Sequence, residues 1–282
     1  MALTTAQLQE TAAQVRRDIV RMVYNCQSGH IGGALGCAEY FTALYFSVMK
    51  RLPGFNMSGD NEDMFFLSNG HISAVFYSVL ARAGYFPVSE LATFRKLNSR
   101  LQGHPTTHEG LPGVRVASGS LGQGISVAIG VALAKKMNND TNLVWALCGD
   151  GELEEGQCWE ALSFAPYHKV DNLILTVDWN GQQIDGPTSK VLSLDNLPAK
   201  FKAFNWDTLI LENGNDMNEV VTMLRKAKRR TGKGKPIAIL MKTAMGSGVD
   251  FMANNYKWHG TPPNKEQFDK AMAQLPVTLG DF

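Results

Sequence analysis

Apolar positions along this chain follow two rhythms. Near the N-terminus, Leu8, Ala12, Val15, Ile19, Met22 and Val23 recur every three or four residues, the spacing of a helix that buries one stripe. Elsewhere they come in short unbroken runs, at 64–67, 143–148, 172–178, 207–212 and 236–242. Such runs lack alternation, so they predict strands buried on both faces of a parallel sheet. Between them the pattern predicts helices over 40–49, 73–83, 122–137, 157–168 and 265–274, and another around Val220, Val221 and Leu224. A helix over 89–97, with Ser89 as N-cap, completes the set. This order predicts an α/β fold, a mostly parallel sheet with helices on both faces, as one domain over residues 1–282. The linking stretches 98–119, 181–200 and 244–263 are long, and loops of that length are often functional or lid-like.

Composition narrows the function classes. Hydrophobic residues make up 44% and charged residues 19%, with a net charge of +1, so no field draws the chain to nucleic acid or membrane. The basic run 226–235 reads as a solvated helix end, favourable to the helix dipole. No stretch of about 18 apolar residues exists to span a membrane. Residues 1–17 carry no apolar core of a signal peptide. Cys26, Cys37, Cys148 and Cys158 form no C-x-x-C or zinc spacing and read as reduced thiols of a cytoplasmic protein.

Candidate chemistry gathers where two of the runs end. Gly149-Asp150-Gly151 closes one and Asn180 closes the next, with the 157–168 helix as crossover. Open α/β sheets bind ligands at this edge. Asp150 offers a hard anionic oxygen, Asn180 a neutral one, and the glycines let backbone approach a bulky anion. Such a set suits Mg²⁺ or Ca²⁺ completed by the oxygens of a diphosphate. The competing reading makes Asp150 an ordinary helix cap. Four of six histidines, His30, His71, His104 and His259, stand in Gly-His or His-Gly steps within predicted loops. Neutral imidazoles there suit hydroxyl recognition and proton shuttling. A zinc site is the alternative, although no pair has i, i+4 spacing. His108 and His168 read as structural or exposed.

The segments Gly149-Asp150-Gly151-Glu152-Leu153-Glu154-Glu155-Gly156 and Val177-Asp178-Trp179-Asn180-Gly181-Gln182-Gln183-Ile184-Asp185-Gly186 resemble the thiamine diphosphate motif of transketolases. Residues 28–36, 67–71, 103–105, 119–124 and 258–260 resemble further family motifs in the same order, so the resemblance spans about residues 10 to 270. It implies a thiamine diphosphate-binding fold and the following roles. Asp150 and Asn180 ligate the ion, and Gln182 adds its backbone carbonyl. Gly149 and Gly151 lie against the diphosphate, and His71 and the turn Gly119-Ser120-Leu121 complete the cofactor site. His30 and His104 face donor hydroxyls, and His259 contacts the diphosphate or the distal end of the sugar. Glu155 lies at the interface between subunits and links two active sites. Trp179, Gln182 and Ser120 depart from the commonest family residues.

The family's activating glutamate belongs to a second, pyrimidine-binding domain, and no segment of this chain matches it. The resemblance therefore implies the N-terminal subunit of a split transketolase. It would work with a complementary C-terminal subunit, two copies of each, and move a two-carbon ketol unit between sugar phosphates. Two readings stay open at this stage. One is another thiamine diphosphate enzyme, of the deoxyxylulose-phosphate synthase or 2-oxo acid dehydrogenase kind. The other is a non-catalytic regulatory subunit.

Overall fold

The computed structural model describes residues 3–282; Met1 and Ala2, which open the polar N-terminal stretch, lie outside the described residues. The first helix, α1 (Thr5–Cys26), forms where the periodic stripe predicts it. Thr4 caps it in a reciprocal box with Gln7, and Leu8, Ala12, Val15, Ile19, Met22 and Val23 are all buried. Two short helices follow, α2 (Ile31–Gly36) and α3 (Ala38–Ala43), and α3 widens into a π-turn at Leu44–Val48. The single helix expected over 40–49 is thus divided, because an unbroken apolar run carries no boundary signal. Strand β1 (Met64–Leu67) leads through a 3-10 turn (Gly70–Ile72) into α4 (Ser73–Arg82).

The helix expected over 89–97 is instead a 3-10 turn, Val88–Thr93, entered from Pro87 without a side-chain cap. Thr93 Oγ1 bonds back to the Glu90 carbonyl at 2.8 Å, Phe94 leaves helical geometry at ψ 125°, and Arg95 follows at φ 56°. Leu97, the last apolar position of that pattern, is 93% exposed. Next come α5 (Gln123–Met137), β2 (Val144–Gly149), α6 (Gly156–Tyr167) and β3 (Leu173–Trp179). The stretch 181–200 is not structureless. It holds a small hairpin, β4 (Gln182–Gln183) with β5 (Gly186–Pro187), then α7 (Thr188–Val191) and the start of α8 (Leu197–Ala203). The chain ends with β6 (Asp207–Leu211), α9 (Met217–Lys228), β7 (Ile237–Lys242), a 3-10 turn at Tyr256–Trp258 and α10 (Lys265–Gln274).

The five long strands form one parallel sheet in the order β1-β2-β3-β7-β6. Their side chains alternate between two cores. Phe65, Leu67, Trp145, Leu147, Ile174 and Ile239 join α1–α4 and α9; Phe66, Val144, Ala146, Cys148, Leu175 and Leu240 join α5, α6 and α8. Burial on both faces explains why the strands read as continuous apolar runs. All five point the same way, so their carboxyl ends share one edge. The basic turn after α9 precedes β7 and lies at the opposite edge. No helix of the described residues is long and apolar enough to cross a membrane.

Candidate active site

The ends of β2 and β3 stand side by side, with Gly149 paired to Asp178. Asp150 opens the turn Gly151–Glu154, and its carboxylate accepts from Gly151 N at 2.9 Å and Gly181 N at 2.7 Å. It is therefore a cap as well as a site residue. Asn180 Oδ1 accepts from Gln182 N at 2.9 Å, and its Nδ2 donates to Asp178 Oδ2 at 2.7 Å. These bonds fix the first turn of the β4–β5 hairpin against the tip of β2.

Asp178 was not singled out in the sequence. It is buried, and it also accepts from Thr243 Oγ1. Burial and the neighbouring Asp178 push the Asp150 carboxyl up to about 8, and burial raises Asp178 as well. Among the described residues, none of the ion pairs reaches either carboxylate. Two buried acids without a protein cation form an arrangement that a divalent ion completes. The donors fit one: a carboxylate, the Asn180 amide oxygen and the oxygens of Gln182, whose buried Oε1 has no partner. The flanking glycines fit a bulky anion. A Cβ on Gly149 would meet nothing nearer than Asn69 at 3.8 Å, and one on Gly151 only Gln183 at 3.4 Å. Nothing in the chain itself requires glycine there; the missing side chains leave open space over Asp150.

Above this floor stand four imidazoles, each from a different segment. His30 occupies the N-cap position of α2 and His71 the turn after β1; His104 and His259 come from loops. The His30 ring centroid lies 5.0 Å from His71, 6.2 Å from His104 and 5.4 Å from His259, and His71 stacks on His259 at 5.2 Å. Burial, then His259, Arg95 and His104, lowers His30 to about 4. Burial lowers His71 far below the ordinary value, and lowers His104 and His259 too. All four are neutral near pH 7, able both to donate and to accept. Among the described residues no group of three or more His, Cys, Asp or Glu is placed to hold a metal ion.

His30, His71, His104, His259, Gly119, Leu121, Gly149, Asp150, Gly151, Asn180 and Gln182 line one cavity of about 270 Å³. Two expected residues do not. Ser120 is exposed, and Glu155 sits exposed at the N-cap of α6 without a capping bond. Among the further lining residues, two buried polar ones besides Asp178 were not singled out in the sequence. Glu152 is buried and accepts from Ser68 Oγ, Gly122 N at 2.7 Å and Gly149 N at 3.1 Å, tying the ends of β1 and β2 to the start of α5. Asn69 is buried with an unpartnered Oδ1. An acid closing an apolar run was a usable signal for Asp178; nothing in Glu-Leu-Glu-Glu distinguishes Glu152 from its neighbours.

The profile of the family "Transketolase, thiamine diphosphate binding domain" matches residues 8–278. The chain is 36% identical over 275 residues to an apulose-4-phosphate transketolase subunit from Phocaeicola vulgatus, covering 98% of this chain and 95% of that one. It is also 36% identical to the 6-deoxy-6-sulfo-D-fructose transketolase subunit SqwG of a Clostridium, covering 95% and 96%. Human transketolase is 32% identical over 95% of this chain, which spans only 42% of the human protein. Among solved structures, transketolase from Campylobacter jejuni superposes with a TM-score of 0.87 at 35% identity, covering 98% of this chain and 43% of that one.

Proposed function

This chain belongs to the transketolase family through its thiamine diphosphate-binding domain, and on that premise we propose that it is the N-terminal, diphosphate-binding subunit of a two-chain transketolase. The observation that carries this reading is the floor of Asp150, Asp178 and Asn180 under four neutral imidazoles, in a chain that matches subunit-length relatives end to end.

When bound, thiamine diphosphate supplies the carbanion chemistry that carries a two-carbon ketol unit. The residues of this chain have three tasks. Asp150, Asn180 and the Gln182 carbonyl hold a divalent ion, Mg²⁺ or Ca²⁺, while Gly149 and Gly151 give room for the diphosphate it tethers. His71 and the Gly119-Ser120-Leu121 turn border the cofactor. His30 and His104 orient the donor's hydroxyls and move protons between them; neutral rings can accept a proton from one hydroxyl and return one to another. His259, beside His30 and His71, holds the far end of the sugar or the diphosphate. Glu155, being exposed, is available to an adjoining chain, which fits a place between two active sites.

The acid that activates the cofactor is expected from a complementary pyrimidine-binding chain, and the working assembly is two copies of each in the cytoplasm. The substrates are a ketose and an aldose of the sugar-phosphate class. To test this, the purified chain is mixed with such a partner, Mg²⁺, thiamine diphosphate, a ketose phosphate and an aldose phosphate. Ketol transfer is expected only with both chains present. Transfer by this chain alone would refute the two-chain reading, and a pair that binds no cofactor with Mg²⁺ would refute the site.

A further inference from the structure

Both Gly-His steps of the donor side back onto one arginine. Arg95 Nη1 donates to Ser28 Oγ at 2.9 Å and Nη2 to the Gly103 carbonyl at 3.3 Å. Ser28 lies two residues before His30, and Gly103 immediately precedes His104. Gly103 leaves room for this contact, whereas Gly29 supplies a positive φ. A Cβ on Gly103 would sit 2.5 Å from the guanidinium carbon, and Gly29, at φ 130°, would bring one within 3.8 Å of Arg95 Nε. Arg95 itself adopts φ 56°, a left-handed conformation uncommon for a residue with a side chain. Its backbone N–H donates to the Leu101 carbonyl at 2.9 Å, and its Nε is buried without a partner. Among the described residues no carboxylate pairs with it.

We propose that Arg95 is a positioning residue that sets the spacing of His30 and His104 by bridging the loops that carry them. This deepens the transketolase reading and rests on it for the identity of the donor site. The His104 side keeps other ties, since Ser73 Oγ donates to the Gly103 carbonyl at 2.7 Å and Tyr77 OH to Gln102 O at 2.9 Å. On the other side Ser28 has local bonds, from Ser28 N to Val23 O at 3.4 Å and from Cys26 Sγ to Ser28 O at 3.0 Å, and its neighbours Gln27 and Gly32 are tied to the Pro263 carbonyl at 3.3 Å and to Gly246 N at 2.8 Å. Loss of Arg95 therefore removes the side-chain link between the two loops. Its charge also disfavours the protonated form of both rings. The groups facing His30 are His71, His104, His259 and Arg95, those facing His104 are His30 and Arg95, and no carboxylate offsets the arginine at either ring.

Arg95→Met and Arg95→Lys separate the two contributions. In the reconstituted two-chain enzyme, Arg95→Met should raise the donor KM by about tenfold, the loss expected for a charged hydrogen bond. The Kd of Mg²⁺-thiamine diphosphate should change less than about twofold, because Arg95 touches none of the ion-binding residues. In the free chain, NMR titration of Arg95→Met should show the His30 and His104 midpoints rising. Arg95→Lys restores the charge but not the two-armed geometry, so it should recover the midpoints and leave the donor KM raised. Wild-type KM and midpoints in Arg95→Met, or donor KM and cofactor Kd rising together, would overturn the proposal. Should Arg95→Met not fold, Ser28→Ala removes one arm only; an unchanged donor KM there overturns it equally. A pair without ketol transfer would defeat the functional reading while the titrations still judged the bridge.

Discussion

Replacing Asp150 by asparagine should make the metal-free chain more stable, although it removes a residue assigned to ion binding. Burial and the adjoining Asp178 raise the folded carboxyl from 3.8 to about 8. At pH 7 the unfolded side chain is ionised and the folded one is largely protonated. The mismatch of roughly 3 pH units opposes folding by about 4 kcal/mol, an order-of-magnitude figure for a coupled acid pair. Asparagine removes that penalty. It offers a single oxygen where the carboxylate serves both Gly151 N and Gly181 N, and the orphaned N–H costs about 1–3 kcal/mol. The net gain is about 1–3 kcal/mol, worth several degrees in Tm at about 2–4 °C per kcal/mol. The sign depends on pH. A carboxylate with a raised folded pKa favours folding fully below its unfolded value and loses that contribution as pH rises through about 8. The advantage of Asp150→Asn should therefore vanish toward pH 4 and grow toward pH 8. Urea melts with chelator at pH 4, 5.5 and 7 measure it. In the two-chain assembly the order should reverse, since Mg²⁺ and thiamine diphosphate should raise the Tm of wild type and not that of the variant. A metal-free Asp150→Asn that is less stable at pH 7, or a difference that does not vary with pH, would refute the idea that the site stores unfavourable charge for a cation to relieve.

Two smaller predictions follow from the same cavity. Gly149→Ala and Gly151→Ala should leave the stability of the free chain within about 1 kcal/mol of wild type, because the added Cβ has room, yet weaken thiamine diphosphate in calorimetry on the reconstituted pair; unchanged affinity would move the diphosphate elsewhere. His30, lowered to about 4, opposes folding once the unfolded imidazole is protonated. The contribution of His30 to stability should therefore fall by about 2–3 kcal/mol as pH drops from about 6.5 toward 4, and the difference between wild type and His30→Gln should change by that amount in denaturant melts taken across the range.

Much of this arrangement was legible in the sequence because it rests on local chemistry. The runs ending at Gly149 and near Trp179 announced buried strands within a residue of their bounds, and Asp150 and Asn180 followed as the first polar groups past their tips. What was not legible depends on distance in space. No local pattern places β7 between β3 and β6, or brings Thr243 to Asp178. Glu152 looked like any acid in a first turn until Ser68 and Gly122 closed around it. The stretch from Ser89 to Leu97 read as a helix, but the chain leaves helical geometry at Phe94, and the bonds that Arg95 then makes to Ser28 and Gly103 lie outside the segment.

A sheet whose strands all run one way gives the molecule a front and a back. The lysines and arginines between α9 and β7 lie on the back, across the thickness of the protein from the imidazoles. A bead, dye or fusion partner attached through that turn would leave the mouth of the pocket facing outward, so immobilised preparations can be oriented without disturbing what enters it.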